Sequence, residues 1–103
     1  MSARFCEFAF AVPVQEFPEI AEAILALVVK AEGEYVRIHN LQELEVVRKY
    51  PAISLALLYA ILPSQIAMWP YDIDKAFDQL ENGNSALAAD LRLVELRRQW
   101  HAR

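Results

Sequence analysis

Threonine is absent from this chain, and glycine occurs only twice in 103 residues. Proline (5), serine (4) and asparagine (3) are also scarce. A chain so poor in loop-formers should have short connections. Two isolated glycines, Gly33 and Gly83, cannot build a glycine-rich phosphate loop. The single cysteine, Cys6, rules out a structural disulfide within the chain. A stapled secreted scaffold is thereby excluded, and a reducing, cytoplasmic setting is expected. Nor do the first residues show a charged-then-apolar signal pattern.

Groups for catalysis are equally thin. Cys6 has aromatic neighbours and only Arg4 as a nearby base, which reads as a buried, inert thiol. Neither histidine, His39 or His101, shows a metal-ligand pattern one turn away. Asp74 and Asp78 could pair as acid and base, but a solvated helix face explains them. The expectation is a protein that is not an enzyme, with no catalytic, cofactor-binding or metal-binding residue.

Apolar side chains, by contrast, are abundant. They make up 56% of the chain, against about 45–50% in ordinary domains even when glycine is counted. Sixteen alanines and thirteen leucines favour helix. Such a composition excludes intrinsic disorder. The length fits one domain over residues 1–103. Small domains have much surface and little interior, so part of this apolar material is expected to face a partner.

Charge is uneven. Residues 1–91 carry six basic and thirteen acidic side chains, whereas residues 92–103 carry four basic and one acidic. The acidic body argues against nucleic acid and makes a basic protein a candidate partner.

Periodicity organises the chain. Residues 4–12 alternate in strand register, with Cys6, Phe8, Phe10 and Val12 on one face. Residues 18–32 read as a helix, opened by Pro18 and stopped by Gly33. A second strand is expected over 34–39. Asn40 and Glu43 form a capping box for a helix over 41–50, which Pro51 ends. Residues 52–62 form an apolar helix between Pro51 and Pro63, and no residue from Tyr50 to Tyr71 is charged. Eleven helical residues reach only about 16 Å, against roughly 30 Å of bilayer hydrocarbon, so a core helix is expected and not a membrane span. A connection over 64–71 leads to a helix over 73–82, capped by Asp72, and to a last helix over 86–101, capped by Ser85.

The expected fold is α+β and predominantly helical, with a minor two-stranded sheet (4–12 and 34–39) and about five helices. An all-α bundle is the alternative. A two-stranded sheet is marginal alone, so pairing between copies at its edge is one way to complete it.

The last helix carries most of the functional expectation. Read as one continuous helix, it places Leu87, Leu91 and Val94 on one side and Ala89, Leu93, Leu96 and Trp100 almost opposite. Two opposed stripes imply burial on both sides, one of them against a second molecule. Arg92, Arg97 and Arg98 could then meet Asp74, Asp78 and Glu81 of a second copy. The turn Met68-Trp69-Pro70-Tyr71 adds two residue types common at interfaces. The partner-binding residues expected are Leu93, Leu96, Trp100, Arg97, Trp69 and Tyr71.

Residues 52–62, 64–68 and 73–82 resemble the three helices of a winged-helix domain, over about a third of the chain. The resemblance implies a DNA-binding transcriptional regulator. The helix that would read DNA carries Asp74, Asp78 and Glu81 against Lys75, a face that repels phosphates, and a helix stands where a β-wing would follow. The favoured expectation is a small cytoplasmic interaction module, of inhibitor, immunity, adaptor or chaperone type. It would bind another protein without a cofactor and without a membrane, as a homodimer through the C-terminal helix.

Overall fold

The structure, a computed structural model, describes residues 9–27, 33, 35, 36, 38 and 45–103. Among them are five α-helices: α1 (Phe17–Leu25), α2 (Glu45–Lys49), α3 (Pro51–Ile61), α4 (Ile73–Gly83) and α5 (Leu91–Ala102). Short 3-10 turns at Val14–Glu16, Ile66–Met68 and Ser85–Ala89 join them. No strand occurs among the described residues. The fold is predominantly helical, and the all-α alternative fits it.

The expected sheet is not supported. Of the first expected strand, residues 4–8 lie outside the described residues, and residues 9–12 run from a helical residue into a turn. Of the second, residues 34, 37 and 39 lie outside, and Tyr35, Val36 and Ile38 have no regular structure. Val36 and Ile38 are still buried while Tyr35 is exposed, so the alternation itself persists. What is missing is the ladder: the Val36 N–H donates to the Met68 carbonyl of a loop at 2.8 Å. An extended segment can bury every second side chain against helices without any sheet.

Helix α3 is the axis of the core. It packs against α1, α2, α4 and α5. Pro51 opens it, and Tyr50 before it (φ −126°, ψ 61°) stays out of the helical region that a following proline disfavours. Leu55, Leu57, Leu58 and Ile61 are fully buried. Ser54 is buried too, and its hydroxyl donates to the Val46 carbonyl at 3.3 Å. Phe17 of α1 stacks near Phe10 and Tyr50, with ring centroids 5.4 and 6.3 Å away. Ile73, Ala76, Phe77 and Leu80 form the inner face of α4, as the 73–82 periodicity predicts.

Other boundaries move. Helix α1 ends at Leu25, with Ala26 and Leu27 in a turn, and residues 28–32 of the expected helix lie outside the described residues. The capping box at Asn40 lies outside the described residues. Asp72 stands before α4, but its side chain makes no capping hydrogen bond.

The largest correction concerns the last helix. It is broken. Asn84, not Ser85, caps the 3-10 turn Ser85–Ala89, its Oδ1 accepting from the Ala86 N–H at 3.1 Å. The chain then extends at Asp90 (ψ 124°) and restarts as α5. Asp90 Oδ1 accepts the Arg92 N–H at 2.9 Å, which makes Asp90 the N-cap.

Candidate partner-binding surface

The break at Asp90 dissolves the double stripe. Leu87 belongs to the 3-10 turn, out of register with α5, and points into the core. Within α5, Leu93 and Leu96 are fully buried and Trp100 packs against the core. The stripe expected to meet a partner therefore holds the helix onto its own domain. A fully buried leucine cannot touch a second molecule unless the helix detaches. The opposite side stays open: Leu91 is 82% exposed and Val94 47%.

Arg97 is also engaged within the chain. Its Nη2 lies 3.3 Å from Asp78 and 3.5 Å from Glu81 of α4. Neither Nε nor Nη2 makes an aligned hydrogen bond, so the contact is an ion pair between half-exposed groups, worth little in water. The other two arginines are spent in the same way. Arg92 forms a two-pronged bridge to Asp90 at 3.1 and 3.0 Å. Its hydrogen bonds hold the Asp90 carboxyl below the usual carboxylate range. Arg98 and Gln99 bind Glu95 and hold its pKa down to about 2. In the free chain Arg92, Arg97 and Arg98 each pair with carboxylates of their own chain, so a contact with the acids of a second copy requires that these pairs be exchanged.

Trp69 is buried, not offered as an anchor. Its Nε1–H donates to the Pro63 carbonyl at 2.7 Å, and its ring stacks on Trp100 at 6.2 Å and 8°. Tyr71, two residues later, is 88% exposed. Of the six expected residues, the structure brings Trp69 and Trp100 together, buries Leu93 and Leu96, pairs Arg97 internally and leaves Tyr71 free.

Sequence reasoning missed the outward face of α3. That helix has no charged residue. Ala52 and Tyr59 are exposed, and Ala56 and Ala60 half-exposed, along one strip. Helix α3 packs on α5, which sets the α3 strip beside α5. Tyr59 on α3 and Leu91 and Val94 on α5 are thus exposed apolar side chains of two helices that pack together, and the pairs Asp90–Arg92 and Glu95–Arg98 stand on the same helix as Leu91 and Val94. The absence of charge over 50–71 was the signal available in the sequence.

Chemistry finds no comparable focus. A shallow depression of about 420 Å³ lies between Pro18 and Glu22 of α1 and Tyr50, Pro51 and Ile53, with Lys49, Gly83 and Asn84 at its edge. Its lining offers one acid and one base. Among the described residues, no group of three His, Cys, Asp or Glu could hold a metal, and no helix is long and apolar enough to cross a membrane. Cys6 and His39 lie outside the described residues.

Comparison with protein-family models, with curated proteins and with solved structures finds no match.

Proposed function

We propose that this chain is a small, non-enzymatic protein-binding module that self-associates through the outward faces of α3 and α5. One observation carries the reading: Leu91 and Val94, one turn apart, stand exposed on α5, and α5 packs on the uncharged helix α3, where Tyr59 is also exposed. Covering a leucine side chain contributes about 1.5–3 kcal/mol. A two-fold axis would place each Leu91 in both halves of one contact and so count it twice. The pairs Asp90–Arg92 and Glu95–Arg98 on the same helix add no net charge of their own. Helix α5 alone, about 18 Å long, falls short of the roughly 1,000 Å² that a specific interface buries. The α3 strip must join it, and a weak dimer is expected.

Within this class, an inhibitor or immunity-type role suits the acidic body, and an adaptor or chaperone role suits the open apolar strip. Cytoplasmic residence belongs to the same proposal and rests on the single cysteine.

Light scattering after size exclusion, over a tenfold concentration range, tests the dimer. The expected mass approaches twice 11.8 kDa at high concentration. The pair Leu91→Glu and Val94→Glu should return the monomer with unchanged circular dichroism. A wild-type monomer at every concentration sinks the self-association reading, and so does a double variant of unchanged mass.

A further inference from the structure

The C-terminal end of α5 carries an arrangement that the self-association face does not use. We propose that the Trp69–Trp100 stack is a recognition platform for an arginine side chain of a basic protein segment, and that Arg103 occupies it in the free chain.

The stand-in is visible. The Arg103 guanidinium lies over the Trp100 ring, 3.8 Å from its centroid, and Arg103 Nη1 donates to the Trp100 carbonyl. This surface thus accepts a guanidinium in two ways, through the ring and through the Trp100 carbonyl. An ammonium would gain less, because only the planar group can lie flat on the ring and still donate sideways.

The platform is rigid before anything binds. Trp69 backs the Trp100 ring, and its own N–H is already committed to Pro63. Preorganisation of this kind favours binding, since little side-chain freedom remains to be lost.

The surroundings favour a cation. The C-terminus of a helix is its negative pole. Helix α4 runs back alongside α5, because Arg97 meets Asp78 and Glu81 while Trp69, just before α4, stacks on Trp100 one turn after Arg97. Asp74, one turn before Asp78, therefore sits towards the end of α5 that holds Trp100. Asp74 is exposed, and Asp72 is 8% exposed; neither carboxylate has an ion-pair or hydrogen-bond partner among the described residues. Tyr71, two residues after Trp69, adds an open aromatic side chain.

This inference rests on the reading that the chain works by binding protein, but it uses different residues from the self-association face. The probe is blocked tetra-arginine peptide, titrated into the full chain while the indole N–H resonances of Trp69 and Trp100 are followed. The Trp100 signal should move. Arg103→Ala removes the internal competitor. An exposed cation–π contact keeps Arg103 in place most of the time, so its loss should tighten tetra-arginine binding about three- to five-fold. Tetra-lysine should bind more weakly to both proteins. Trp100→Leu, if its circular dichroism stays native, should abolish the effect of Arg103→Ala; if it unfolds, the Arg103→Ala comparison decides alone. The proposal fails if Arg103→Ala binds no tighter than wild type. It fails equally if nothing binds, or if shifts gather at Glu16, Glu19 and Glu22 while Trp100 stays silent. The Leu91→Glu, Val94→Glu protein separates the two readings: it should lose self-association and bind tetra-arginine as wild type does.

Discussion

Replacing Gly83 by alanine tests the close approach of α4 to the end of α2. Two effects of opposite sign compete. Alanine is favoured over glycine by up to about 1 kcal/mol within a helix, and it also restricts the unfolded chain, worth about 0.4–1 kcal/mol. Gly83 is the last residue of α4, so the helical gain is at the low end. Against this, a Cβ at Gly83 would stand 2.5 Å from the Arg48 carbonyl oxygen, 3.3 Å from its carbon and 3.2 Å from Pro51 Cγ. The obstacle is the backbone at the end of α2 and the proline that opens α3, neither of which can swing aside as a side chain could. Overpacking a tight site costs about 1–3 kcal/mol, and a fixed backbone places this case towards the top. A net loss of about 1–2 kcal/mol follows, or a melting temperature lower by roughly 4–16 °C for a domain of this size. Thermal melts followed at 222 nm measure it. Gly33 is the control. It sits at φ +77° with nothing within 4 Å of an added Cβ, so Gly33→Ala acts through left-handed backbone strain alone, about 1–2 kcal/mol. An unchanged or raised melting temperature for Gly83→Ala would refute the close contact between α2 and α4.

The two sides of α5 should respond very differently to truncation. Leu93→Ala and Leu96→Ala each remove a buried side chain and should lose about 2–5 kcal/mol in urea unfolding, whereas Leu91→Ala at monomer concentrations should stay within about 0.5 kcal/mol. Equal effects would mean that α5 is rotated from the orientation described. Asp90→Ala removes the N-cap of α5 and should cost about 1 kcal/mol at neutral pH. The folded Asp90 pKa lies below its ordinary value. Its contribution is therefore present in full above the unfolded pKa of about 3.9 and fades as pH falls through the folded value. Melts of wild type and Asp90→Ala should converge in acid, and a difference that persists or grows there contradicts the assignment. Glu95, held down to about 2, titrates in the same sense at the end of that range.

Helices α3 and α4 are legible in the sequence because their limits are chemical. Pro51 and Pro63 bracket one, and the Ile73, Ala76, Phe77 and Leu80 spacing marks the inner face of the other. The site was misread at a single residue. Asp90 looks like one more polar position on a helix over 86–101, and a helical projection cannot show that its ψ is 124°. That one extended residue takes Leu87 out of the register of Leu91 and Val94. It converts an apparent two-sided stripe into one buried side and two exposed residues. The strands failed for a different reason. Alternation reports which side chains are buried, and Val36 and Ile38 are; it does not report where the backbone N–H goes, and that of Val36 goes to a loop carbonyl. Ion pairing was legible only in part. Arg98 with Glu95 follows from spacing along a helix, but Arg97 with Asp78 and Glu81 needs the packing of α4 on α5.

The pairing also changes what the charge asymmetry means. The sequence suggests a basic C-terminal segment on an acidic body. In the fold, Arg92, Arg97 and Arg98 are each neutralised by a nearby carboxylate, and Arg103 lies against Trp100. No basic patch survives there. Among the described residues, carboxylates without an ion pair remain at Glu16, just before α1, at Glu19 and Glu22 along it, and at Asp74 at the start of α4, together with the lysines Lys49 and Lys75. The two proposed contacts then differ in physical character. The α3–α5 contact brings together two copies of net charge −4, so raised salt should screen their repulsion and leave the dimer no weaker. The Trp100 platform draws its partner by charge and should weaken steeply as ionic strength rises. If raised salt dissolves the dimer while arginine binding persists, the two faces have been assigned the wrong way round, even though each would still bind protein.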